Sequence, residues 1–272
     1  MDRLGIGFLN AFGLPPVEFV ELTADLGCRL MSTVVHGRPL LALGYPRYSL
    51  TDAPLRNEIR AALYHRGVQI SLGDGFLVLP GTETGSWAGD LDALAELGVP
   101  RINVVSLDPD LGRTFDQFGA LAELAGQRRI ETLVEPVPGL TVGDLASALA
   151  AREHVARPDF RLLIDAMHIA RSGSDAADLA AIDPQLIGYA QLNDTTARPR
   201  LGNYLEEAMF ERMVPGEGEL PLRRMLSALP RDVVIEIEVP RRSLALAGVS
   251  PIERLRPCVA AARRLLSEAQ LG

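Results

Sequence analysis

Glu135, Asp165, Gln191 and Glu238 each stand near the carboxyl end of a short apolar run, in the segments IETLVEP, FRLLID, LIGYAQLND and DVVIEIEVP. Three carboxylates and an amide oxygen are hard donors, suited to a divalent cation such as Mg²⁺ or Mn²⁺ and not to a thiolate-loving ion. Each residue also has a plainer reading. Glu135 precedes Pro136, which stops a strand ladder, and would serve as an exposed strand end. Asp165 is a favoured helix cap, and Gln191 would do as a satisfied core amide. Glu236 and Glu238 share one strand face by the period of two. One of them belongs at a rim and the other one layer deeper, where an unpaired carboxylate is costly. Recurrence on four successive strand ends is what favours a shared site.

The elements that must position these residues follow from the hydrophobic pattern. Strand-like runs occupy residues 4–9, 29–35, 68–72, 101–106, 130–135, 161–165, 187–192 and 233–238. Helix-like segments lie between them at 15–26, 52–66, 85–97, 114–125, 141–155, 175–181, 220–228 and 251–269. The first helix opens on Pro15 and Pro16 and closes before Gly27, the usual asymmetry of helix ends. Eight strands alternating with eight helices predict a single-domain (β/α)₈ TIM barrel over residues 1–272, whose site sits at the C-terminal ends of the strands. A doubly wound sheet would alternate in the same way, but the turn after the first run, NAFGLP, carries no dinucleotide fingerprint. The long connections at 37–50 and 194–219 are expected to cover a substrate.

Composition removes several alternatives. The chain is 47% hydrophobic and carries a net charge of −8, which disfavours nucleic acid and anionic membranes as partners. No apolar stretch is long enough to span a bilayer, and the N-terminus lacks the pattern of a signal peptide, so a cytoplasmic location is expected. Cys28 and Cys258 are isolated and read as core thiols. All 27 basic residues are arginine. A chain without lysine cannot form a Schiff base, hold pyridoxal phosphate through one, or build a P-loop. Proton transfer is left to carboxylates, four histidines, tyrosines and metal-bound water.

From the fifth strand onward the motifs resemble the xylose isomerase-like barrels, in particular their sugar-phosphate isomerase/epimerase branch. Glu135-Pro136 is similar to the strand-5 glutamate of that family. Asp165-Ala166-Met167-His168 is similar to its Asp-x-x-His, and Gln191-Leu192-Asn193-Asp194 to its His-x-x-Asp with glutamine in the histidine place. Val214–Glu219 reads VPGEGE, like its Pro-Gly-Glu-Gly loop, and Glu238-Val239-Pro240 is similar to its closing glutamate.

The resemblance implies one divalent cation, Mn²⁺ foremost with Mg²⁺ or Co²⁺ as alternatives, held by Glu135, Asp165, Gln191 and Glu238. It implies that the ion polarises a substrate carbonyl and steadies an enediolate, while Glu135 and Glu238 remove and return a carbon-bound proton. His168 would touch the substrate. A substrate arginine is expected just after the seventh strand, at Arg198 or Arg200. His36 and Trp87, near the predicted rim, are candidate substrate contacts, and Phe12 a candidate pocket wall. His65 and His154 fall near helix ends and Glu217 and Glu219 in a shaping loop; these are expected to be structural. The expected substrate is a small sugar or keto acid, with isomerisation or epimerisation as the reaction and a homo-oligomer as a family habit. A metal-dependent dehydratase of the inosose or dehydroshikimate kind is the alternative. A histidine-rich zinc nuclease does not fit four histidines, and the absence of lysine separates the chain from true xylose isomerases.

Overall fold

The computed structural model describes residues 3–271. Eight parallel strands close into a barrel: β1 Leu4–Ile6, β2 Leu30–Val34, β3 Gln69–Val78, β4 Arg101–Ser106, β5 Glu131–Val134, β6 Phe160–Asp165, β7 Ile187–Leu192 and β8 Ile235–Ile237. Each strand pairs with its sequence neighbours, and β8 closes on β1 with Gly5 opposite Glu236. Around them run α1 Pro16–Asp25, α2 Ala53–Arg66, α3 Ala88–Glu96, α4 Leu111–Gly126, α5 Leu145–Val155, α6 Ala166–Arg171, α7 Ala176–Ala180, α8 Tyr204–Phe210, α9 Leu222–Ala228, α10 Arg242–Leu246 and α11 Pro251–Leu271. The (β/α)₈ barrel and single domain expected from the alternation are present.

Local chemistry explains the element ends. Asp110 caps α4 by accepting from the backbone N–H of Arg113 at 2.8 Å. Asp144 and Ser147 form a capping box on α5. The large apolar core lies between strands and helices, while Leu72, Leu133, Leu163 and Tyr189 form a separate buried cluster. Leu72 stands two residues before Asp74, Leu133 before Glu135, Leu163 before Asp165 and Tyr189 before Gln191. The period of two therefore stacks each of these directly beneath a polar residue of its own strand, inside the barrel.

Three departures from the sequence pattern matter for the site. β3 runs six residues beyond its expected end. Gly73, Asp74 and Gly75 look like a turn in the sequence, but here they form an irregularity in the register against β4 within a continuous strand. Gly75 has φ +95, and a Cβ there would lie 2.9 Å from Val34 Cγ2, so the bulge needs glycine. β8 is shorter than expected, leaving Glu238 just past its end. The connection after β2 carries a two-residue antiparallel ribbon, in which His36 pairs with Ser49 and Gly37 with Tyr48.

Candidate active site at the barrel rim

Glu135 follows β5, Asp165 ends β6, Gln191 lies in β7 and Glu238 follows β8, so four elements deliver side chains to one rim. All four residues are buried. In the register, Asp165 stands opposite Gln191 and Gln191 opposite Glu236. Asp165 fills its plainer role as well: it is the N-cap of α6, accepting from the His168 backbone N–H at 2.9 Å. That cap directs His168 back over the rim. Glu135, Asp165 and His168 offer ligand atoms within 4.8 Å of one another, and His168 Nε2 lies 3.4 Å from Glu135 Oε1.

Glu238 lies outside that triad and is held by Arg212, whose guanidinium reaches Asp165 Oδ2 on one side and Glu238 Oε2, at 3.0 Å, on the other. Asn193 Nδ2 also donates to Asp165 Oδ2 at 2.6 Å. The glutamate pair of β8 divides as alternation requires. Glu238 is at the rim and Glu236 is deeper, where it accepts from the Tyr189 hydroxyl at 2.9 Å and from Gln191 Nε2 at 3.2 Å. Tyr189 in turn meets the Ser71 hydroxyl at 2.8 Å. Gln191 Nε2 is shared with Glu238 Oε1 at 3.0 Å, while Gln191 Oε1 is buried with no partner.

Crowding of acids in a dry site shifts their protonation. Burial, then the charges of Asp165 and Asp74, push the Glu135 carboxyl up to about 8. Burial raises Glu238 well above the usual range, with Arg212 opposing and Asp165 and Glu135 adding to the rise. Burial also works against ionised Asp165, but the Arg212 guanidinium and His168 outweigh it and hold this carboxyl low. Burial pulls the His168 imidazole down to about 4, so it is neutral at physiological pH. Its Nδ1 hydrogen bonds the Tyr204 hydroxyl, and burial raises that phenol so that it keeps its proton. The other ring nitrogen, Nε2, faces Glu135.

Several site residues lie beyond what the sequence pattern reveals. Asn103 on β4 donates through Nδ2 to Glu135 Oε2 at 2.6 Å and to Asp74 Oδ1 at 3.1 Å. The arginine of the cluster is Arg212, whereas Arg198 is exposed and its carbonyl accepts from the Thr196 hydroxyl at 2.6 Å. Arg200 is turned to Glu211 O. Arg212 arrives from far along the loop because Asp194 and Met213 form an antiparallel bridge. Buried Asp194 also gathers the Gly-Glu-Gly turn, accepting from the N–H groups of Gly216 at 2.8 Å, Gly218 at 3.0 Å and Leu220 at 3.2 Å. A Cβ on Gly218 would lie 2.2 Å from Asp194 Oδ1. Glu219 accepts from the Ala197 N–H at 2.6 Å, the shaping role expected of that loop.

His36 is exposed, with its ring nitrogens 3.1 Å from Asp90 Oδ1 and 3.0 Å from the Ser49 hydroxyl. Trp87 packs edge-on against Phe76 at 5.6 Å between ring centroids. His36, Trp87 and Phe12 all line a cavity of about 530 Å³ that borders the cluster through Asp74. His65 and His154 lie in the last turns of α2 and α5, and both cysteines are buried. Among the described residues no helix is long and apolar enough to cross a membrane.

A closed parallel barrel with its buried acids gathered at the C-terminal strand ends defines a (β/α)₈ barrel of the kind that carries active sites at that rim. The sequence profile of the xylose isomerase-like TIM barrel family matches residues 20–264, and the chain belongs to that family. Among curated proteins, none matches the chain. Solved structures share the fold at low identity. The IolI protein with a bound zinc atom superposes with a TM-score of 0.79 at 17% identity, over 99% of both chains. D-psicose 3-epimerase in the presence of D-fructose superposes with a TM-score of 0.73 at 15% identity, over 98% of this chain and 99% of that one. The probable 3-DHS dehydratase AsbF from Bacillus anthracis does so with 0.70 at 14% identity, over 94% and 98%.

Proposed function

We propose that the chain is a divalent-metal-dependent isomerase or epimerase that moves a proton at the carbon beside a carbonyl in a small sugar or keto acid. The observation that carries this reading is the buried rim cluster, in which a single guanidinium joins Asp165 to Glu238, Glu135 faces His168 beside them, and the Gln191 amide oxygen is left without a partner. An orphaned buried acceptor beside excess carboxylate is the environment a hard cation satisfies. Glu135, Asp165, Gln191 and Glu238 would hold it, and Mn²⁺ suits that donor set, with Mg²⁺ or Co²⁺ as alternatives. When bound, the ion would polarise the substrate carbonyl as a Lewis acid.

The protein's own groups supply the rest. Glu135 and Glu238 enter from β5 and β8, with β6 and β7 between them, so they approach a bound substrate from different directions. Their raised affinity for protons suits groups that must take and return one near neutral pH. Asn103 holds Glu135 by one oxygen and leaves the other facing His168. Arg212 sets a fixed positive charge where charge grows on a substrate oxygen.

In D₂O, NMR should show washout of the proton beside the carbonyl of a turned-over ketose. Glu135→Gln and Glu238→Gln should each abolish it, by 10²-fold or more, with an unchanged circular dichroism spectrum. Full exchange by either variant would sink the two-glutamate reading. A dehydratase is the second reading, since the Glu135 carboxyl, which holds a proton up to about 8, could give it to a departing β-hydroxyl. Enone absorbance growing during turnover would favour that reaction.

A further inference from the structure

The cavity beside the cluster carries information about the part of the substrate that does not react. It occupies about 530 Å³, within the range of pockets that enclose drug-sized ligands, and Phe8, Phe12, Val34, Phe76, Trp87 and Phe210 supply much of its wall. An apolar wall of this extent gains nothing from the hydroxyls of a simple sugar, whose desolvation against aromatic rings is unfavourable. It rewards the burial of an alkyl or aryl group.

Two acids stand against one arginine, Arg38, among the charged groups that line the cavity. Asp74 and Asp90 both line it. Asp74 is 8% exposed, and its Oδ2 is buried with no partner, while Oδ1 accepts from Asn103. The Asp74 carboxylate lies directly behind the cavity wall, and its charge would repel a phosphate. Two of the neighbouring arginines are already engaged. Arg254 sits over the Phe12 ring but donates to Asn10 O at 2.9 Å and Val249 O at 3.2 Å. Arg242, stacked on Phe210, donates to Glu206 at 2.8 Å. Arg38 is exposed. The same Asn103 amide that binds Asp74 binds Glu135, so the cavity adjoins the carboxylate proposed to move the proton.

We infer that the substrate is a neutral α-hydroxy ketone, or its sugar equivalent, bearing an apolar alkyl or aryl substituent that lies in this cavity, and that it is not phosphorylated. The inference rests on the isomerase/epimerase reading only for which end of the molecule reacts. Three matched probes test it by calorimetric titration of the Mg²⁺-supplemented protein: 2-hydroxyacetophenone, dihydroxyacetone and dihydroxyacetone phosphate. The aryl ketone should bind at least ten-fold more tightly than dihydroxyacetone, and the phosphate ester no more tightly than dihydroxyacetone. Trp87→Ala, with an unchanged circular dichroism spectrum as the check on folding, should cut the aryl preference to below about three-fold. Tighter binding of the phosphate ester, equal binding of all three, no measurable binding of the aryl ketone, or an aryl preference untouched by Trp87→Ala would each overturn the inference. Loss of proton exchange in the glutamate variants reports on the reaction separately, so either reading can fail while the other stands.

Discussion

Arg212 is the residue on which the rim's charge balance turns. It is the buried cation that touches two of the acids, and removing one partner of a buried pair leaves the other charged and unsolvated. Arg212→Gln should therefore destabilise the metal-free protein by about 3–5 kcal/mol, read as a fall in denaturation midpoint at unchanged slope. Added Mn²⁺ should recover more of that loss in the variant than it adds to the parent protein; equal shifts in both would show that Arg212 does not neutralise the cluster. At this scale the sequence was legible where a polar residue closes an apolar run, as for Glu135, Asp165, Gln191 and Glu238. It was not legible for Arg212, because no local pattern separates this arginine from the exposed Arg198. Asp74 was hidden by its flanking glycines, which imitate a turn.

Asp194 governs the element that carries Arg212 to the rim. Its carboxylate gathers two N–H groups of the Gly-Glu-Gly turn and that of Leu220 just after it, and its backbone bridges Met213. Asp194→Ala should cost about 3 kcal/mol or more, since each orphaned buried donor costs about 1–3 kcal/mol. Limited proteolysis should find its first new cut between residues 196 and 220. A protected loop in the variant would mean that other contacts hold it. The eight strands and main helices could be read from hydrophobic period and glycine stops, because both are local. The short helices α6, α8 and α10 and the ribbon at His36 were missed. α6 and α8 have local caps in Asp165 and Asn203 but span only six and seven residues, too few for a period to show, while α10 depends on a distant residue, since Glu211 accepts from the Ser243 N–H at 2.7 Å to hold its start.

For the whole molecule, the cluster ties stability to pH and metal. Glu135 and Glu236 both bind protons more tightly folded than unfolded, each pushed from 4.5 to about 8, with burial as the leading cause. Their contribution to stability is complete below the ordinary glutamate range and is lost as pH rises through about 8. Metal-free protein should therefore lose on the order of a few kcal/mol per group between pH 5 and pH 9. Mn²⁺ should bind more tightly as pH rises over the same interval, because binding must expel the Glu135 proton. Thermal melts with and without chelator check both statements, and a metal-free protein most stable at pH 9 would contradict them.

A polar column runs down the barrel axis, from Gln191 through Glu236 and Tyr189 to Ser71. Ser71 also borders a depression lined by the starts of the strands, at Leu30, Gln69 and Arg101, on the face away from the rim. The orientation of one rim amide is thus anchored on the opposite side of the molecule. Removing the Ser71 hydroxyl should therefore be felt at the Gln191 amide, through Tyr189 and Glu236.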